Sequence, residues 1–394
     1  MHETSFLLNI AVALVAAFVG GTLAKLAKLP VLIGYLLAGI VVGPHTPGPV
    51  AQPEVVNPVA NLGVALLMFA VGAHFSLDKL QSVRRTALLG GGLQIVGTIA
   101  MGTLLGLALG WSLYGGLYLG CTLSLSSTAV MMKLLEERGE QESEHGAAML
   151  GMLVTQDLCV VLMAPLLPAL SQATHRGPAA LASIGWALLV GAILLSAILF
   201  LAMRGVPTIM KRIALLGSPE LLLLAGMAIC LAAAIGAEKA GLGLALGAFL
   251  AGLVISETDY AHHLLGQIRP IRDLFASLFF VSIGMMLDPT FVFRHLAAIA
   301  AVVVSVVIGK ALIGALAVYA SGQRGGTPIR TGLGLAQIGE FSFVLATLGY
   351  NEGLISGEIS GVILSGALIT LVLAPFVYQS SDAVSRVLSR PNSH

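Results

Sequence analysis

The stretch Met149-LGMLVTQDLCVVLMAPLLPAL-Ser171 is an apolar run long enough to cross a lipid bilayer, and it carries one acidic residue, Asp157, near its centre. A charged side chain at the centre of a membrane helix costs about 2.5–3.5 kcal/mol on insertion scales, so such residues are rare and mark functional sites. No lysine or arginine lies within the run. The carboxylate therefore favours a bound proton or a small cation, and Gln156 and Thr155 beside it offer further oxygen ligands.

The whole chain has the composition of an integral membrane protein. Of its 394 residues, 57% are hydrophobic and 10% are charged, and the mean hydropathy is +0.96. Soluble domains have about 25% charged residues. The net charge of +1 gives no indication of nucleic-acid binding, and the three cysteines lie inside apolar runs, which argues against a disulfide framework. The N-terminus lacks the basic segment of a cleavable signal peptide.

Apolar runs of bilayer-crossing length predict an all-α integral membrane protein with about thirteen transmembrane helices. Two of the runs, 30–43 and 241–256, are short for a complete crossing. The predicted spans are 5–24, 30–43, 55–77, 86–110, 113–135, 146–170, 180–203, 218–237, 241–256, 267–287, 295–320, 328–349 and 356–379.

The basic residues predict the orientation of these spans. Of the 20 lysines and arginines, sixteen fall in the odd-numbered loops and the C-terminal tail, whereas the even-numbered loops hold Arg176, Lys239 and Arg294. Loops that are rich in lysine and arginine face the cytoplasm in most membrane proteins. The sequence therefore predicts an N-terminus outside the cell and a C-terminus in the cytoplasm.

The two halves of the sequence match each other. Leu29-PVLIGYLLAGIVV-Gly43 resembles Leu242-GLALGAFLAGLVI-Ser256, and Phe69-AVGAHFSL-Asp78 resembles Phe279-FVSIGMML-Asp288 at an offset of 210. Ala164-Pro165 matches Ala374-Pro375 at the same offset. A shift of seven spans reverses direction, so we expect inverted repeats, which are common in secondary transporters.

The repeat divides the chain into four predicted parts. The first six-helix repeat covers 1–171, a connector helix lies at 172–217, the second, inverted six-helix repeat covers 218–379, and a cytoplasmic tail forms 380–394. Substrate sites of such proteins lie near the middle of the membrane, where the repeats meet.

The fifth span of each repeat contains polar residues and glycines that weaken a helix. Ser126, Ser127 and Thr128 follow one another in the first, and the second carries Gln337 and Glu340 beside glycines. Hydroxyl groups compete for backbone hydrogen bonds, so we expect crossed, discontinuous helices here. The three hydroxyl residues are then either cation ligands or ordinary helix-packing residues.

Three further polar residues are predicted to support the site from within the membrane. Lys310 is the one lysine inside an apolar span, and it could carry a proton, pair with Asp157, or act as a fixed cation that faces the C-terminal ends of the half-helices. Glu340 would follow a break at Gly339, where a carboxylate suits the start of a half-helix. Gln337 lies in the same stretch.

The chain resembles the monovalent cation:proton antiporters of the sodium/proton exchanger superfamily, and most closely their bacterial potassium-efflux (potassium/proton antiporter) branch. The resemblance covers nearly the whole chain, in the right order. It is carried by Gly34-YLLAGIVVGP-His45, Ser126-STA-Val130, Gln156-Asp157, Gly247-AFLAGLVIS-Glu257, Arg272-DLFASLFFVSIG-Met285 and Ala336-QIGE-Phe341.

The resemblance implies a protein of thirteen helices in the inner membrane of a bacterial cell. It implies a homodimer embedded in lipid, an elevator-like motion and no cofactor, since K⁺ or Na⁺ and H⁺ are the substrates. It leaves open a separate cytoplasmic regulatory domain or subunit and gives no role to nucleic acid. The Gln-Asp pair resembles that of the potassium-type members.

The expected function is therefore exchange of a monovalent cation for a proton by alternating access, with both competing for Asp157. One carboxylate that exchanges one proton for one monovalent cation moves no net charge, so we expect electroneutral exchange. A gated potassium channel, or an efflux system with the same core, is the alternative. An enzyme is not expected, because an aspartyl intramembrane protease needs paired carboxylates and a zinc protease needs a His-Glu-x-x-His helix, which the sequence lacks.

Overall fold

The computed structural model describes residues 2–47, 51–74, 83–176, 204–239, 244–339, 341–351 and 353–388. It divides into two compact units, each built from two separate parts of the chain. The first unit comprises Met1–Asp78 and Ala187–Leu287, and the second comprises Lys79–Trp186 and Asp288–His394. Each unit thus takes one part from each half of the sequence, and the predicted repeat boundaries stay a prediction.

The helices of the first unit include α1 (His2–Leu26), α2 (Val31–Val42), α3 (Pro53–His74), α8 (Pro219–Lys239), α9 (Leu244–Ser256) and α10 (Ala261–Met285). Those of the second unit are a π-helix (Thr86–Gly90), α4 (Gly91–Ala108), α5 (Leu113–Ser124), α6 (Thr128–Arg138), α7 (Glu144–Arg176), α11 (Pro289–Arg294), α12 (Leu296–Val304), a second π-helix (Ser305–Lys310), α13 (Ala311–Ala320), α14 (Thr327–Gly334), α15 (Phe341–Asn351) and α16 (Gly357–Leu388).

The predicted all-α membrane class is confirmed. Among the described residues, 6 helical segments are long and apolar enough to cross a membrane, and shorter apolar helices accompany them. The span predicted at 180–203, with most of the connector 172–217, lies outside the described residues. The count of thirteen and the orientation stay predictions. The long segments are Phe6–Leu26, Val83–Ala108, Leu113–Arg138, Pro219–Lys239, Leu296–Ala320 and Gly357–Arg386.

Helices of the first unit pack backbone against backbone through glycines. A Cβ added to Gly72 of α3 would lie 2.1 Å from the carbonyl oxygen of Phe249 in α9, and a Cβ added to Gly252 of α9 would lie 2.1 Å from that of Phe69 in α3. Both distances are far below van der Waals contact, so neither position accepts a side chain without displacing the other helix. Small residues have this use in membrane proteins, where close packing replaces the hydrophobic effect between helices.

Local signals in the sequence set the ends of helices in the second unit. Ser112 caps α5 by accepting a hydrogen bond from the Gly115 N–H at 3.0 Å, and Ser127 caps α6 by accepting one from the Val130 N–H at 3.1 Å. Gly139 ends α6 with a φ of 66°, a left-handed conformation that glycine adopts at low cost.

Charged side chains gather where α6, α7, α14 and α16 approach one another, and we call this group the end cluster. Arg138 binds Glu140 at 3.0 Å and also Asp382, while Arg330 binds Asp382 at 3.0 Å. The Tyr378 hydroxyl and the His145 ring also contact Glu140. The end cluster comprises Arg138, Glu140, His145, Arg330, Tyr378 and Asp382.

Glu140 is held ionised by this cluster. Partial burial raises its pKa, but the hydrogen bonds from Tyr378 and His145 and the charge of Arg138 outweigh burial and lower the pKa below its ordinary value. The carboxylate is therefore charged at neutral pH and ties α16 to the turn between α6 and α7.

Candidate functional site

Two interrupted helices of the second unit cross at their breaks. The first break, residues 125–127, separates α5 from α6, and the second, which includes residues 335–339, lies between α14 and α15. The Gly339 N–H donates to the Leu125 carbonyl at 3.1 Å, and the Ser126 hydroxyl donates to the Leu335 carbonyl at 2.9 Å. The predicted discontinuous helices are thus present, and each break satisfies backbone groups of the other.

The side-chain amide of Gln337 forms two hydrogen bonds with the backbone of the first break. Its Oε1 accepts the Ser127 N–H at 2.7 Å, and its Nε2 donates to the Ser127 carbonyl at 3.2 Å. The two residues are 210 positions apart, which equals the offset of the predicted repeat. Gly339 permits this close approach, because a Cβ there would lie 2.6–2.8 Å from backbone atoms of Ser126 and Ser127.

Asp157 faces the start of α6. The residue is 8% exposed, and its Oδ2 accepts a hydrogen bond from the Thr128 hydroxyl at 3.0 Å. Thr128 is the first residue of α6, where unpaired N–H groups and the helix dipole favour a negative charge. The carboxylate is thus desolvated yet next to a helix N-terminus that partly offsets the cost of its charge.

Gln156 joins the first break to α4. Its Oε1 accepts the Ser126 N–H at 2.7 Å, and its Nε2 donates to Oε1 of Gln94 at 2.7 Å. Gln94 in turn donates from Nε2 to the Ser124 carbonyl and to the Thr98 hydroxyl, each at 3.1 Å. Gln94, Gln156 and Thr98 are all 0% exposed. Buried amides of this kind cost free energy unless every polar group is paired.

Lys310 lies at the end of the second π-helix, within an apolar span, and is fully buried. Its ammonium donates to the Leu125 carbonyl at 2.8 Å and to the Gln337 carbonyl at 2.7 Å. These carbonyls follow α5 and α14, at the negative ends of the half-helices. The geometry is that of a cation facing the C-terminal ends of two half-helices, one of the arrangements that the sequence suggests.

The structure brings some predicted site residues to Asp157 and directs others away. Thr128 contacts the carboxylate, whereas the Ser126 hydroxyl binds the second break and the Ser127 hydroxyl caps α6. The Thr155 hydroxyl donates to the Ala87 carbonyl of the first π-helix at 2.8 Å and to the Gly151 carbonyl at 3.1 Å. Thr155 is therefore directed to the π-helix, because residues two apart on a helix face nearly opposite sides. Glu340 lies outside the described residues.

Three residues of the site were not predicted from the sequence. Gln94 binds Gln156 from α4, Thr370 of α16 accepts the Ile338 N–H at 3.1 Å, and Ser342 of α15 donates to the Thr122 carbonyl at 2.7 Å. Gln94 gave a usable signal, because it is a large polar residue inside a predicted span, as Asp157 is. The others are small hydroxyl residues, which are frequent in membrane helices whatever their role.

A family model matches most of the chain. The model is that of the transmembrane region of sodium/hydrogen exchangers, and it matches residues 13–379. The chain is 38% identical to YbaL of Escherichia coli, a protein named as a cation/proton antiporter, over 96% of this chain and 68% of that protein. It is 38% identical to K(+) efflux antiporter 6 of Arabidopsis thaliana, over 95% of this chain and 63% of the relative.

A solved structure has the same fold. The sodium proton antiporter MjNhaP1 from Methanocaldococcus jannaschii, solved at pH 8, superimposes with a TM-score of 0.69 at 15% sequence identity and covers 100% of both chains. The chain thus matches this structure over its full length, while it spans about two thirds of the curated relatives it matches.

Proposed function

The chain belongs to the sodium/hydrogen exchanger family, and we propose that it exchanges a monovalent cation for a proton, with K⁺ favoured over Na⁺. The observation that carries the proposal is the buried Asp157 carboxylate at the N-terminus of α6, with the Thr128 hydroxyl 3.0 Å away. A carboxylate and a hydroxyl are oxygen ligands that suit a small hard cation. A carboxylate in a poorly solvated place also binds a proton readily.

The proposed mechanism is alternating access with competition at Asp157. Facing outward, the carboxylate takes a proton; facing inward, it releases the proton and binds the cation. The loaded site is neutral and can pass through the membrane interior, whereas an empty carboxylate in low dielectric is costly. Exchange of one proton for one monovalent cation is electroneutral. In this mechanism Lys310 stays protonated throughout the cycle and stays bound to the carbonyls of the two breaks.

The preference for K⁺ has two supports. The relatives in Arabidopsis thaliana are named K(+) efflux antiporters, and the Gln156-Asp157 pair resembles that of potassium-type members.

We further propose that the protein works as a homodimer in the inner membrane of a bacterial cell.

The test is cation-dependent proton flux in proteoliposomes. Purified protein is reconstituted with an imposed pH gradient, and K⁺, Na⁺ and Li⁺ are compared across pH. We expect uphill cation movement, fastest with K⁺, and an apparent KM for K⁺ that rises with proton concentration because the two ligands compete. Flux that runs only down the cation gradient would support the channel alternative.

The stoichiometry has its own measurement. Exchange at a clamped membrane potential is compared with exchange at zero potential, and we expect equal rates. A rate that follows the potential would overturn electroneutral exchange and point to Lys310 as a second proton carrier.

A further inference from the structure

Gln94 closes a ring of hydrogen bonds that begins on the first break, at Ser126, and ends on Ser124, the last residue of α5. The ring runs from the Ser126 N–H to Gln156 Oε1, from Gln156 Nε2 to Gln94 Oε1, and from Gln94 Nε2 to the Ser124 carbonyl. The three donor–acceptor distances are 2.7, 2.7 and 3.1 Å. The two backbone groups that the ring joins are two residues apart in the same segment.

The direction of every bond in the ring is fixed by the backbone. A peptide N–H only donates and a carbonyl only accepts, so the Ser126 N–H requires the oxygen of Gln156 and the Ser124 carbonyl requires a nitrogen. Gln156 must then donate to Gln94, and Gln94 must donate onward. Neither amide can turn over without placing like groups against each other, and both are fully buried.

The ring lies beside the proposed cation ligands along both chain segments that it joins. Gln156 precedes Asp157 directly, and Ser126 lies two residues before Thr128. The Ser126–Gln156 bond and the Thr128–Asp157 bond therefore connect the same two segments, one beside the other. Fixing the first bond fixes the separation of the second pair.

We propose that Gln94 is a positioning residue for the exchange reaction: by closing this ring it holds Gln156 on the first break and so holds Thr128 against Asp157. Gln156 then acts as a clamp whose oxygen is engaged by the Ser126 N–H. The cation binds the Asp157 and Thr128 oxygens, and the distance between these oxygens is fixed by Gln94 of α4. This inference rests on the proposed cation/proton exchange.

The test compares Gln94→Met, which keeps the length of the side chain and removes its polar atoms, with Thr98→Val. Thr98 touches the Gln94 nitrogen but is not a member of the ring, so its loss leaves the ring closed. We expect Gln94→Met to raise the KM for K⁺ about tenfold, as loss of one partner of a buried hydrogen bond does, with little change in maximal rate. Thr98→Val should keep the wild-type KM.

A second variant keeps the test decisive if Gln94→Met does not fold. In Gln94→Glu a protonated carboxyl group can both accept from Gln156 and donate to the Ser124 carbonyl, whereas an ionised one can only accept. The KM of this variant, divided by the wild-type KM at the same pH, should therefore fall toward one as the pH is lowered. A KM ratio below one at high pH would mean that the new negative charge attracts the cation, and it would overturn the inference. A KM ratio that does not change with pH would also overturn it.

The outcomes separate this inference from the proposed function. A wild-type protein without cation-dependent proton flux overturns both. Wild-type exchange together with an unchanged KM in Gln94→Met overturns the positioning role alone. An equal rise of KM in Gln94→Met and Thr98→Val would show that packing around α4 matters and not the ring, and would also overturn it.

Discussion

The crossing of the two breaks and the end cluster lie in the same unit and hold its helices in opposite ways. At the crossing, amides and hydroxyls bind backbone groups, and Lys310 binds two carbonyls. In the end cluster, Arg138 and Arg330 bind the carboxylates of Glu140 and Asp382 directly. Charges that are partly exposed can be paired at small cost, whereas a charge at membrane depth is costly.

The two regions use charged side chains differently: in the end cluster they stabilise the structure, whereas at the crossing Asp157 is available for chemistry. In the end cluster, arginines neutralise the carboxylates. These carboxylates therefore do not take up a proton or a cation at neutral pH. The crossing holds its backbone mostly with neutral groups and presents Asp157 to a hydroxyl and a helix N-terminus. A carboxylate in that position can exchange occupants, which is what the proposed reaction requires.

The most severe change to the crossing is Asp157→Asn. We expect complete loss of exchange, because an amide cannot take up and release a proton. The measurement is pH-gradient-driven K⁺ flux in proteoliposomes. Thr155→Val is the matched control, since the Thr155 hydroxyl binds the Ala87 carbonyl, and it should retain exchange. An Asp157→Asn protein that exchanges at the wild-type rate would place the site elsewhere.

Gly339→Ala tests whether the two breaks must touch. The added Cβ would lie 2.6–2.8 Å from backbone atoms of the first break, and overpacking of this kind typically costs about 1–3 kcal/mol. We expect a lower thermal midpoint and strongly reduced exchange. Gly92→Ala in α4 is the control, because nothing lies within 4 Å of a Cβ there. Equal behaviour of the two variants would show that the crossing tolerates separation.

Lys310→Met removes the side-chain nitrogen that donates hydrogen bonds to both breaks. The Leu125 and Gln337 carbonyls would lose a buried donor, and a buried acceptor left unsatisfied costs about 1–3 kcal/mol. We expect a lower thermal midpoint and slower exchange that is still indifferent to membrane potential. Unchanged stability, measured by thermal unfolding in detergent, would contradict the architectural role of the lysine.

The smallest effect is expected in the end cluster, from Glu140→Gln. The pKa of Glu140 is lowered in the folded protein, so its contribution to stability is complete above the ordinary value of 4.5 and is lost as the pH falls through the lower folded value. In Glu140→Gln that acid-dependent loss should disappear from thermal midpoints measured between about pH 3 and 7. Exchange near neutral pH should change little. A loss of exchange as large as that of Asp157→Asn would erase the contrast between the two regions.

Much of the fold was predictable because membrane helices follow from apolar length alone. The interruptions at residues 125–127 and 335–339 were also predictable, since serines, glycines and Gln337 break the apolar pattern there. The lone carboxylate at 157 and the lone lysine at 310 stood out for the same reason. Each is a polar group in a place where polarity is costly.

The partners of these residues were not predictable. Gln156 binds Gln94, 62 positions away, and Arg138 binds Asp382, 244 positions away, and neither separation leaves a local pattern. Thr155 is a different case, since its position two residues before Asp157 on one helix implies a different face. The role of Thr155 as a cation ligand stays a prediction.

The wide turn that ends at Lys310 has a genetic consequence. A π-helical turn contains one residue more than the α-helical turn it replaces, as though a single codon had been inserted into an older helix. A π-helical turn rotates by a smaller angle per residue, so deleting one codon between 305 and 309 would restore a regular α-helical turn and leave the helices on either side at nearly the same relative rotation. Deleting one codon from a regular stretch such as α13 would instead rotate the residues on one side by about 100° relative to those on the other. An in-frame deletion between 305 and 309 should therefore be much less harmful than one in α13.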